Sequence, residues 1–222
     1  MKAIVVFRAL ILVSIPLLLV LTWVRLLLTP GFINWEYRRS GFPPDPYGFT
    51  VEDRLHWADL SRQYLLNGQG IDFLANQHLP DGSPLYNDRE LRHMYDVKGV
   101  VHGALIVWVG SIIVALASVL YLWRKDAVKM ARSVQSGAVL TIVLLAGVLS
   151  LVALAWDQFF VDFHHVFFQG NSWLFSFSDS LIRLFPVQFW QDCFLMLGIG
   201  SALCAIGLWL LARWGERRLG QR

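Results

Sequence analysis

The chain has 222 residues, of which 56% are hydrophobic, and a mean hydropathy of +0.51, too apolar for an ordinary soluble domain of this size. Its formal net charge of +3 hides an excess of basic residues on a few short segments and gives no sign of a nucleic-acid partner. Its two cysteines, Cys193 and Cys204, stand eleven residues apart on one apolar run and cannot meet, which excludes a disulfide framework and a cysteine-based metal site.

Four apolar runs, residues 9–28, 99–123, 134–156 and 193–213, each hold about the ~20 residues needed to cross ~30 Å of hydrocarbon. The fold class expected is an all-α polytopic membrane protein with four transmembrane helices. Lys2 and Arg8 ahead of the first run resemble a signal peptide, but the run is longer than a typical apolar core of one. LTPGF also offers no small-x-small cleavage site, so a retained anchor is expected. Lys2, Arg8, the segment RKDAVKMAR and the tail RWGERRLGQR together carry ten of the nineteen Lys and Arg residues but two of the sixteen acids. Short basic segments stay in the cytoplasm, which puts both termini inside. The organisation expected is a cytoplasmic N-terminus and first span (1–28), an extracytoplasmic domain (29–98), a two-helix hairpin (99–156) with a basic cytoplasmic loop (124–133), an extracytoplasmic or interfacial segment (157–192), and a fourth span with a basic cytoplasmic tail (193–222).

After the first span, TPGFINWEYRRSGFPPDPYGF is rich in Pro, Gly and aromatics, which predicts irregular chain with Trp35, Tyr37 and Phe42 at the headgroup level. Thr50 opens a TVED capping box, and VEDRLHWADLSRQYLL reads as a helix ending at Asn67-Gly68. IDFLANQHLPDGSPLYN has apolar residues at short spacing around a PDGSP turn, a pattern suited to one or two short strands. Asn87 and Glu90 mark a new helix start, from which DRELRHMYDVK runs straight into the second span and carries His93 in its first two turns. The helix dipole favours a neutral imidazole there, while Asp88, Glu90 and Asp96 favour the protonated one; the balance stays open at this level. Beyond the third span, WDQFFVDFHHVFF keeps a helical period, with Asp157, Phe160 or Val161, and His164 on one face and His165 about 100° away. The aromatic stretch NSWLFSFSDSLIRLFPVQFWQD, crossed by Arg183, suits the plane of a membrane interface.

A lone histidine on an aromatic segment is most often a packed residue. Topology singles out two of the six. The connection between spans two and three is short, so the outer ends of those helices are neighbours. His93 precedes one end by a few residues and His164 follows the other, each within about ~10 Å of the same level at 1.5 Å of rise per residue. His102 lies deeper in the second span, where it could face the same cavity and orient or bind substrate, whereas His56 and His78 have no marked partner. Arg25, in the outer third of the first span, either snorkels to headgroups or faces the bundle, where it could hold an ester carbonyl. Asp96 and Asp157 are candidates to orient an imidazole. No HExxH pair supports a metal site and no G-x-S-x-G elbow surrounds Ser176, Ser178 or Ser180, so neither metal nor cofactor is expected.

The words NDRELRHMYDVK, DQFFVDFHHVFF, NSWLF and SDSLIRLFPVQFW, in this order and at these separations, resemble the lipoprotein intramolecular transacylases (Lit) of Gram-positive bacteria. RELRHMYDVK matches that family's RE..HM.DVK pattern and FHHVFF its FH..FF pattern. The resemblance implies His93 and His164 as the catalytic pair, in a bacterial cytoplasmic membrane with the site at the outer leaflet, and Trp173 of NSWLF is a further candidate to orient or bind the substrate. It also implies the reaction, transfer of an acyl chain from the diacylglyceryl-cysteine of a lipoprotein to that cysteine's own α-amino group, with the diacylated lipoprotein N-terminus and membrane lipids as partners. One imidazole, His93 in the first instance, would act as base and His164 as its partner, with the roles exchangeable. Two other readings remain: a non-catalytic membrane protein that binds lipid or an exported partner, and an acyl-ester hydrolase.

Overall fold

A computed structural model of the chain describes residues 2–219 and Gln221. Among them the chain forms nine helices and no β-strand: α1 (Lys2–Leu27), α2 (Pro30–Arg38), α3 (Val51–Leu66), α4 (Asp72–Ala75), α5 (Asp88–Lys125), α6 (Ala127–Leu154), α7 (Trp156–Phe167), α8 (Ser180–Leu184) and α9 (Val187–Leu219). Four of these, α1, α5, α6 and α9, are 26, 38, 28 and 33 residues long and apolar enough to cross a membrane.

Several elements depart from the sequence expectation for local reasons. Residues 30–38 are helical because Thr29 caps that turn, its hydroxyl accepting from the Phe32 N–H, and Pro30 takes the first helical position, where its missing N–H is harmless. Tyr37 is consequently buried instead of lying among headgroups, and its hydroxyl donates to the Leu184 carbonyl. The PDGSP turn closes on a single bridge between His78 and Pro84 and extends no ladder; the prolines flanking the turn each lack a donor for one. The basic segment 124–133 is nearly all helix. The chain breaks only at Asp126, whose carboxylate accepts from the Lys129 N–H and so starts α6. α6 and α7 are separated at Ala155, where φ −148° and ψ 52° leave the helical region.

The described residues form two compact units. The first takes the chain up to Arg25, Ala104–Leu154 and the residues from Phe194 onward. Ile11 and Ile15 of α1 pack there against Leu122, Met130 and Val134. A Cβ at Gly200 would collide with the Trp23 indole, so glycine permits that approach of α1 to α9. The Trp108 indole donates to Thr22 Oγ1 at 3.0 Å, while Ile106, Ile113, Leu144 and Leu211 point outward, the pattern of helices solvated by lipid rather than water.

The second unit joins Leu26–Gly103 to Ala155–Cys193. Its core is Tyr64, Leu74, Leu85, Tyr86, Met94, Leu181 and Leu184. The expected capping box is present at α3, with Thr50 Oγ1 accepting from Asp53 N and Asp53 Oδ2 from Thr50 N. Long-range polar pins complete this unit. Arg183 pairs with the buried Asp45 at 2.9 Å and lies 3.4 Å over the Phe49 ring centre, and Arg39 pairs with Asp192.

Candidate active site

His93 lies in the second turn of α5, before the apolar run that begins at Gly99. That helix starts where the sequence marks it: Asn87 Oδ1 accepts from Arg89 N and Glu90 N, and Glu90 Oε2 accepts from Asn87 N at 2.8 Å. His164 comes from α7 of the same unit. Its Nδ1 is 2.7 Å from the carbonyl oxygen of Phe160, one turn back. A carbonyl only accepts, so Nδ1 carries the proton, and the lone pair of the neutral ring is on Nε2.

The two imidazole rings are neighbours in nearly parallel planes, ring centres 6.1 Å apart and planes inclined by 24°. Both are buried, 9% exposed for His93 and 8% for His164. Their walls are aromatic. His93 contacts Phe168 and Phe175 at 4.8 and 5.3 Å between ring centres, and His164 contacts Phe160 and Trp173 at 4.2 and 4.8 Å. Gly170, with φ of 68°, makes the turn that brings Trp173 back over His164, and its carbonyl accepts the indole N–H at 3.2 Å.

Burial in this apolar surround, followed by the neighbouring His164, pushes the His93 imidazole down to about 4. Burial also lowers His164; its hydrogen bond to the Phe160 carbonyl raises it again, and His165 lowers it. Both rings are therefore neutral near pH 7, and His164 keeps an oriented lone pair. His93 Nδ1 is buried with no hydrogen-bond partner among the described residues. An unpaired buried polar atom costs about 1–3 kcal/mol, which a bound acceptor or donor removes.

Of the other residues marked from the sequence, Trp173 joins the pair, whereas Asp96, Asp157 and His102 do not. Asp96 is half-buried one turn beyond His93 and Asp157 is exposed at the start of α7, neither with a hydrogen bond or ion pair among the described residues. His102 is exposed nine residues beyond His93, a spacing that faces the opposite side of α5. Arg25 closes the last turn of α1 and belongs to the first unit. Phe168 and Phe175, which end the words FHHVFF and NSWLF, were not singled out as site residues because they lie outside the helices and leave no periodic signal, and no side-chain pattern marks the Phe160 carbonyl.

An all-helical chain with four membrane-length helices and a buried pair of neutral imidazoles defines a membrane-integral protein equipped for proton transfer. Residues 9–190 match the family described as lipoprotein intramolecular transacylase Lit. A protein of Aquifex aeolicus (strain VF5) described as uncharacterised is 31% identical over 190 residues, 82% of each chain. The structure of the membrane-integral lipoprotein intramolecular transacylase Lit from Bacillus cereus superposes with a TM-score of 0.85 at 19% identity, covering 100% of this chain and 99% of that one. A structure of the same enzyme with one histidine replaced by arginine gives 0.77 at 19% identity, covering 99% and 95%. The chain belongs to the Lit family, and it is an acyltransferase, an intramolecular transacylase of lipoproteins.

Proposed function

We propose that this transacylase moves an acyl chain from the diacylglyceryl group of a lipoprotein's N-terminal cysteine to the α-amino group of that cysteine, with His164 as general base and His93 as proton donor and oxyanion partner. The observation that carries this reading is the buried pair of neighbouring, nearly parallel imidazoles, with one Nδ1 committed to the Phe160 carbonyl. The neutral amine attacks the ester carbonyl and gives its proton to His164 Nε2. The tetrahedral intermediate collapses with cleavage of the ester C–O bond. The glycerol oxygen leaves with a proton delivered across the pair, so that ester and amine become amide and alcohol. The assignment of base favours His164 over His93 because its lone pair is oriented and its basicity partly restored, whereas a neutral His93 is suited to polarise a carbonyl.

Nucleophile and ester belong to one molecule, so positioning supplies much of the acceleration. Well-oriented intramolecular reactions gain ~7–11 kcal/mol, and no activated Ser or Cys is required. The test is a crossover experiment in which two lipopeptides carry acyl and peptide labels on separate molecules. Unmixed labels in the amide product support the mechanism. Mixed labels would replace it with a two-substrate acyltransferase, and free fatty acid as the main product would favour the hydrolase.

The proposal also puts both termini in the cytoplasm and residues 29–98 and 157–192 outside, with the reaction at the outer leaflet; the basic short segments support this orientation. A cysteine introduced at Ser83 should react with an impermeant thiol reagent in intact cells. Labelling only after lysis would reverse the topology.

A further inference from the structure

Glu90 is 1% exposed, and the proton transfers above do not use it. Its carboxylate accepts from backbone N–H groups of two separate segments. Oε2 takes Asn87 N at 2.8 Å, at the start of α5, and Oε1 takes Leu181 N at 2.7 Å, in the first turn of α8; the Ser180 N–H adds a further bond. An anion suits both places, because each helix start leaves N–H groups without partners inside the helix. The two segments are the ones that frame the histidines. Three residues after Glu90, on nearly the same face of α5, is His93. Immediately before α8 runs the non-helical stretch 168–179, whose Phe168, Trp173 and Phe175 contact the two imidazole rings. Two weaker ties cross the same junction, from Arg89 Nη1 to the Leu174 carbonyl and from Asn87 Nδ2 to Asp179 Oδ1.

We propose that Glu90 is a positioning residue, a single buried carboxylate that caps α5 and the first turn of α8 together and thereby fixes His93 against the aromatic wall around His164. This rests on the reading of the histidine pair as the reacting centre. The demand on residue 90 is specific. Glutamine has one accepting oxygen and would turn its NH₂ group toward the second backbone N–H, while aspartate keeps the charge but is one methylene too short to serve both segments.

In the full-length protein, Glu90→Gln and Glu90→Asp should each lower kcat by about 10- to 100-fold, the size of effect that misplacement of about 1 Å produces, with KM nearly unchanged. The ring-proton NMR signals of His93, which lie under the ring currents of Phe168 and Phe175, should shift in both variants, while the Trp108 indole signal of the other unit stays in place. Wild-type kcat in either variant, or unmoved His93 signals, would overturn the proposal. If neither variant accumulates, hydrogen exchange in the wild-type protein decides. The Asn87 and Leu181 amides should exchange slowly and with equal protection, and fast exchange at Leu181 would remove the double cap. A His164→Ala variant in the same assay separates the two levels: activity surviving there defeats the histidine reading itself, whereas its loss beside an unimpaired Glu90→Gln defeats only the role of Glu90.

Discussion

In the first unit the fully buried polar groups are hydroxyls, Ser118, Thr141 and Ser201, whereas the second unit buries Glu36, Arg54, Glu90, His93 and His164. Thr141 returns its hydroxyl to the carbonyl four residues back, at 2.9 Å, and needs nothing from another element. Glu90 and Arg183 instead reach partners 91 and 138 residues away. Among the described residues, the first unit buries no charged side chain and joins its apolar helices by close packing and single bonds such as Trp108 to Thr22. The second adds to its apolar core buried ionisable side chains that choose particular backbone groups and partners. A unit of the second kind can fix two imidazoles in one relative orientation and keep them dry, which is what proton transfer at a lipid ester asks for.

The largest structural effect should follow Arg183→Ala, which leaves the Asp45 carboxylate with backbone N–H partners only and removes the pin between segments 138 residues apart. A charge-assisted bond of this kind is worth about 1.5–3 kcal/mol. Hydrogen exchange should show the second unit opening while amides of α6 stay protected. Uniform loss of protection across both units would show that they unfold as one body. Gly200→Ala is the matching change in the first unit. Its methyl group must displace the Trp23 indole, at about 1–3 kcal/mol for overpacking. It should lower the thermal midpoint yet leave the activity per folded molecule intact, and a parallel fall in specific activity would mean that packing of the first unit shapes the site.

The smallest effect is in the pH profile. Because burial lowers both imidazoles, the rate above pH ~6.5 should follow one ionisation, that of the substrate's α-amino group near ~8. A second break near neutrality in the pH–rate profile would mean that an imidazole titrates at its ordinary value. Stability carries the same signature with the opposite cause. Unfolded His93 binds a proton below ~6.5 and folded His93 only below about 4, so acidification through that window should destabilise the second unit.

The difference between the units also explains what the sequence discloses. The spanning helices and the start of α5 were legible, because hydropathy and the Asn87–Glu90 cap are local signals. His93 and His164 could be paired from topology alone, since membrane level and a short connection constrain both. α2 was missed although Thr29-Pro30 announces it, its Pro and Gly content having pointed to irregular chain. Of the aromatic wall, Phe160 and Trp173 were marked, while Phe168, Phe175 and the Arg183–Asp45 pin were not singled out. Phe168 and Phe175 lie outside any helical period, and nothing near Asp45 in the chain names a partner so distant.

The central claim is that His93 and His164 together perform the acyl transfer. Mass spectrometry of a lipoprotein N-terminus should be run on cells making the wild-type chain, His93→Ala, His164→Ala or the exposed-residue control His78→Ala, with membrane accumulation matched. The account predicts N-acylated lyso-form lipoprotein from wild type and His78→Ala, and a reduction of about 10²–10⁴-fold in each variant of the pair, the range of general acid–base catalysis. Undiminished lyso-form lipoprotein in cells making the His93→Ala, His164→Ala double variant would contradict it.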